Sequence, residues 1–110
     1  MEVAVPKYLL EVSYTSEGAK GLLKGGGSAR RKVVEEMTAG MKGKVEAFYF
    51  AFGENDAVVI ADLPDNASAS VIALRVAASG AARTRTTVLV TPEEVDDAAN
   101  RQLVYRPPGQ

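Results

Sequence analysis

The stretch Lys44–Leu63, KVEAFYFAFGENDAVVIADL, decides the fold. It reads as two strands joined by a tight connection. In Lys44 to Phe52, Val45, Ala47, Tyr49 and Ala51 alternate with Phe48, Phe50 and Phe52. Both faces are therefore apolar along most of its length. Gly53-Glu54-Asn55 has the composition of a hairpin turn. Asp56 to Leu63 is a second strand, with Val58 and Ile60 on one face and Ala57, Val59 and Ala61 on the other.

Working outward, Lys7 to Tyr14, KYLLEVSY, alternates with period two. Tyr8, Leu10, Val12 and Tyr14 share one face; Leu9, Glu11 and Ser13 share the other. Thr15-Ser16-Glu17-Gly18 supplies N-cap residues for a helix. Ala19 to Met41 is helical in type but interrupted at Gly25-Gly26-Gly27, since glycine is costly inside a helix. Ser28 is expected to cap the second piece, which carries Val33, Val34 and Met37 on one side. Gly40 and Gly43 supply stops. On the other flank, Pro64-Asp65-Asn66 leads into a helix over Ala67 to Ser79. Its expected apolar stripe is Ala67, Val71, Leu74 and Ala78. Gly80 closes it, and Ala81 to Val90 reads as a fourth strand. Thr91-Pro92-Glu93-Glu94 opens a short last helix with a capping box. Residues 102–110 form a tail.

The order is β-α-β-β-α-β plus a terminal helix, one α+β domain over residues 1–110 with its core in about 7–101. This is the ferredoxin-like pattern: a four-stranded antiparallel sheet with the helices on one face. The other face would carry either the Phe48/Phe50/Phe52 row or the Val45/Tyr49 row. Neither suits water. A sheet-to-sheet homodimer, the dimeric α/β-barrel arrangement, is the simplest cover; the tail is the alternative.

Composition points the same way. The chain has 110 residues, 17 of them Ala, with only four Tyr, three Phe and no Trp. Ala buries little area, so a monomeric core would be thin. Absence of Cys excludes disulfides, zinc knuckles and thiol nucleophiles. Absence of His excludes the usual serine-hydrolase triad and an imidazole base. A net charge of −1 argues against a nucleic-acid or anionic-membrane partner. No apolar run approaches the ~20 residues of a membrane span. Met1 to Pro6 lacks the pattern of a secretory leader, so a cytoplasmic location is expected.

The blocks EVSYTSEGAKGLLKGGGSARR, GKVEAFYFAFGENDAVVIADLPDNASAS, TVLVTPEEVDDAA and YRPPG resemble the GYD-domain family of small bacterial and archaeal proteins. The resemblance covers about Lys7 to Gly109. It implies the fold of dimeric ferredoxin-like α/β-barrel proteins and does not imply an activity. At the family's Gly-Tyr-Asp signature, this chain has Gly53-Glu54-Asn55-Asp56, with Asn55 where the Tyr is expected. Read as a turn device, Asn is a natural replacement because it tolerates left-handed backbone.

Four groups are candidates for chemistry. Lys20 to Lys32 carries only basic charges, and its Gly-rich helix start with Ser28 and Arg30 can hold a carboxylate or phosphate. It is not a P-loop, and a solvated basic face is the plain alternative. Ser13, Tyr14, Tyr49 and Asp56 can converge at strand ends to orient a polar ligand, with Asp56 as a base; the alternative is core Tyr rings and a hairpin-capping Asp. Glu93, Glu94, Asp96 and Asp97 open a helix, which the helix dipole explains without a metal. The apolar Leu103-Val104-Tyr105 of the tail can dock on a neighbouring subunit. Three functions remain open: an oligomeric module binding a small anionic or polar metabolite; a cofactor-independent isomerase or monooxygenase with Asp56, Glu46 or a Tyr as base; and an assembly partner without ligand. No metal or cofactor is expected.

Overall fold

A computed structural model describes residues 5–110. Met1–Ala4, part of the stretch examined for a leader, lie outside the described residues. The elements follow the expected order. They are β1 (Lys7–Tyr14), α1 (Ser16–Gly25), α2 (Gly27–Gly40), β2 (Lys44–Phe50), β3 (Ala57–Asp62), α3 (Asn66–Ser79), β4 (Ala82–Leu89) and α4 (Pro92–Asn100). The sheet order is β2-β3-β1-β4, and every neighbouring pair is antiparallel. This is the ferredoxin-like arrangement, with the first helix broken in two and α4 appended.

One face of the sheet holds the core. Tyr8 and Leu10 of β1 and Val59 and Ala61 of β3 are buried there with Leu63. Ala69 and Ile72 of α3 close the layer, and Val34 and Met37 of α2 pack against it. Both long helices thus cover the same face.

Two corrections concern which side chains turn inward. Along β2, Val45 pairs with Ala61 but Ala47 pairs with Ile60, so a bulge lies between them. A bulge shifts the alternation by one residue. Val45 therefore joins Phe48 and Phe50 on the helix side, while Ala47 and Tyr49 face the open side. Phe48 and Phe50 meet edge to face, with ring centroids 5.2 Å apart. Phe52 lies beyond the strand and is fully exposed. In α3 the buried residues are Ser68, Ala69 and Ile72; Val71 and Leu74 of the expected stripe are exposed. The actual stripe lies one residue later, at Ser68 and Ile72 with Ala69 beside them and Val76 packed against the core.

The α1–α2 break is sharper than the three glycines imply. Only Gly26 leaves the helices, with φ +86°, and it is the N-cap of α2; Ser28 is the second residue of that helix and does not cap it. By contrast, α4 begins as expected, with Thr91 and Glu94 forming a reciprocal capping box and Pro92 in the first turn. Among the described residues, no helix is long and apolar enough to cross a membrane.

Candidate functional site

A groove of about 490 Å³ lies between α1, the start of α2, α3 and the end of the sheet. Its existence traces to α1. Gly18, Gly21 and Gly25 are three and four residues apart, so they share one helix face, and all three line the groove. A Cβ at Gly21 or Gly25 would meet nothing within 4 Å. The helix wall is bare where ordinary side chains would fill the space. Gly18 is different: a Cβ there would run into the Ala81 carbonyl and the Tyr14 ring. That close approach anchors α1 to the α3–β4 turn. Thr15 reinforces it, donating its amide to the Ala81 carbonyl at 3.0 Å and its hydroxyl to the Gly80 carbonyl at 2.7 Å.

Arg30 and Tyr14 both line this space. Arg30 Nε is buried and has no hydrogen-bond partner among the described residues. No carboxylate among them forms an ion pair with it. A buried N–H without an acceptor is rare and costs ~1–3 kcal/mol, more when charged. Arg75 from α3 adds a second positive group, and Glu17 stands on the α1 side. Leu22, Val33, Met37 and Val76 make much of the remaining wall apolar. A narrow cleft of about 40 Å³ continues past Arg30 into the core, space for roughly one water. Arg30 and Arg75 give a largely apolar groove positive groups able to hold an anion.

Only two of the five candidate residues, Arg30 and Tyr14, line the groove. Ser28 is exposed and borders a separate shallow depression with Arg31, Phe48 and Phe50. Tyr49, 71% exposed, projects from the open face of the sheet, opposite the helices. Asp56 accepts the Tyr14 amide at 2.7 Å through its carboxylate. Its own amide donates to the Val12 carbonyl, and its carbonyl accepts from Ala51. It locks the β2–β3 connection onto β1. Asn55 does the same through its side chain, donating to Glu11 at 2.6 Å and accepting from Ser13 at 3.4 Å. Asn55 does not adopt positive φ; among the described non-glycine residues only Lys42 does. The signature loop is thus a side-chain clasp, and left-handed backbone plays no part.

Several of the other charged groups are engaged with one another. Glu46 and Asp62 each bind Lys7 at 2.8 Å on the open face. These two contacts raise the Lys7 ammonium well above its ordinary value, the hydrogen bond it donates to Asp62 contributing most. Lys20 and Arg31 form loose exposed pairs with Glu17 and Glu35. Glu94 is used in the capping box and Asp97 binds Arg101. Among the described residues, no three acidic groups converge as for a metal. At the far end of the sheet, burial raises the Tyr8 phenol, whose hydroxyl donates to Asn66 at 2.6 Å. Hydrogen bonds from Ser68, first its hydroxyl and then its amide, hold the Asp65 carboxyl below its usual range.

Sequence reasoning singled out Arg30 and Tyr14 but missed Arg75, Met37 and the bare glycine face. The spacing Gly18-Gly21-Gly25 was a usable signal for that face. Arg75 had none, because it is an exposed residue whose place at the groove depends on how α3 packs.

A ferredoxin-like domain with a helix-side groove is the class these features define. The family model for the GYD domain matches residues 8–99. The chain belongs to the GYD-domain family. Among curated proteins, none matches its sequence significantly. Among solved structures, the leucine response regulatory protein LrpA of Mycobacterium tuberculosis is similar, with 16% identity and a TM-score of 0.49. The match covers 78% of this chain and 51% of that one, so this chain spans about half its length.

Proposed function

We propose that the chain is a small-ligand binding or regulatory module that works as an oligomer of itself. The ligand is a small anion with an apolar body, held in the groove between α1, α2 and α3. The observation that carries this reading is Arg30, whose buried Nε has no acceptor among the described residues. A carboxylate or phosphate oxygen would supply that acceptor as a charge-assisted hydrogen bond. Tyr14 and Arg75 stand ready as further donors, and the apolar wall would take the rest of the ligand. A cytoplasmic setting belongs to the same reading and rests on the cysteine-free composition.

Catalysis has less support. Asp56, one of the carboxylates suited to act as a base, is spent on the Tyr14 amide. Glu46, the other, is tied to Lys7. The test is a thermal-shift survey of the native protein against small carboxylates and phosphates. A rise in melting temperature with one acid, lost in Arg30→Gln, is the expected result. A survey with no hit, or a shift that survives Arg30→Gln, overturns the reading.

A further inference from the structure

The last twenty residues make little use of the body that precedes them. β4 ends at Leu89 and α4 starts three residues later. Every residue from Pro92 to Gln110 is exposed. A nine-residue helix is marginal in water without packing. The extended segment after it carries Leu103, Val104 and Tyr105, which are 85%, 89% and 70% exposed. The radius of gyration is 17.1 Å, against about 13 Å for a compact domain of this length. The arm stands away from its own domain.

Its chemistry matches the open face of the sheet. α4 contains Glu93, Glu94, Asp96 and Asp97 and no basic residue. With Glu94 used by the cap and Asp97 by Arg101, Glu93 and Asp96 form no ion pair among the described residues. On β4, Arg83 and Arg85 are exposed, face the open side opposite Ser13 and Glu11, and are likewise without ion pairs there. Beside them run Leu9, Val58 and Ile60, only partly covered. The α4 of the same chain is badly placed to meet these arginines. It leaves from the Lys7 end of β4, since Leu89 pairs with Lys7, whereas Arg83 lies six residues back, ~20 Å along the strand. A second copy supplies both complementary halves at once, and a two-fold axis lets each arm serve the other.

We infer that Thr91–Arg106 is an exchanged clasp that docks on the open sheet face of a second copy. Leu103, Val104 and Tyr105 pack over Leu9 and Ile60, and the acids of α4 face Arg83 and Arg85. This inference does not use the groove, and it specifies how the oligomer proposed above is held.

Sedimentation equilibrium of the full chain tests it. The native protein is expected to be a dimer. Leu103→Asp with Tyr105→Asp should weaken dimerisation at least about tenfold, with an unchanged circular dichroism spectrum because both side chains are exposed. Arg85→Glu and Glu93→Arg should each weaken the dimer, and the two together should restore much of the loss. A native monomer overturns both the clasp and the oligomer. A dimer indifferent to the arm substitutions overturns the clasp alone. Charge reversals without mutual rescue overturn the pairing of α4 with β4.

Discussion

Replacing Arg30 with Met should make the ligand-free protein more stable. The Arg30 stem lies among apolar side chains, and its buried Nε has no acceptor among the described residues. Met keeps an unbranched stem of similar reach and removes the unsatisfied donor. An unsatisfied buried group costs ~1–3 kcal/mol. Arg30 as a whole is only partly buried, so the rest of the guanidinium reaches water and the lower end, ~1 kcal/mol, is the appropriate figure. A chain of 110 residues unfolds with an entropy of ~0.23 kcal/mol/K, so that gain corresponds to a rise in Tm of ~4 °C. Differential scanning calorimetry of the native and Arg30→Met proteins reads it directly. The same substitution should abolish any anion-dependent shift. A fall in Tm of similar size would show that the guanidinium holds the fold together, and the argument for a ligand built on its missing partner would collapse.

Four further outcomes follow from the geometry. Gly18→Ala drives a methyl into the Ala81 carbonyl, and overpacking of this kind should cost ~1–3 kcal/mol in urea denaturation. Gly21→Ala, three residues on, meets nothing within 4 Å and should stabilise by ~0.5–1 kcal/mol through helix propensity alone. Asp56→Ala strips the Tyr14 amide of its carboxylate acceptor, and the urea midpoint should register a loss of ~1.5–3 kcal/mol. The Asp65 carboxyl is held below its ordinary 3.8 in the folded state. The unfolded chain therefore binds the extra proton first, and the contribution of Asp65 is present above that value and lost as pH falls through the folded one. Urea midpoints between about pH 2 and 5 should fall less steeply in Asp65→Asn than in the native protein.

Much of the architecture was legible because the alternation and the caps agree locally. Lys7–Tyr14 emerges with the expected bounds, and Thr91–Glu94 forms the expected box. What escaped were phase shifts. Nothing in KVEAFYF marks the bulge between Val45 and Ala47, because every flanking residue except Glu46 is acceptable on either face. With so many Ala in α3, several stripes look alike. The candidate site was half legible for the same reason. Tyr14 and Arg30 sit on elements whose phase was read correctly. Tyr49 sits beyond the bulge, which carries it to the other side of the sheet. The roles of Asp56 and Asn55 are set by partners on β1 more than 40 residues away in sequence, which no local pattern encodes.

The bare glycine face of α1 has a consequence for motion. Glycine lowers the helix propensity of a segment, and α1 buries none of its residues. It is fastened at one end, by Thr15 and the approach of Gly18 to Ala81, and ends at the other in Gly26, whose φ of +86° breaks the helix run. Local unfolding starts where buried contacts are fewest. The wall of the groove is therefore a helix that can fray from its Gly26 end while the sheet and α3 stay intact. Entry to the groove need not wait for the domain to open, and anything bound there would register first as slowed amide exchange in α1.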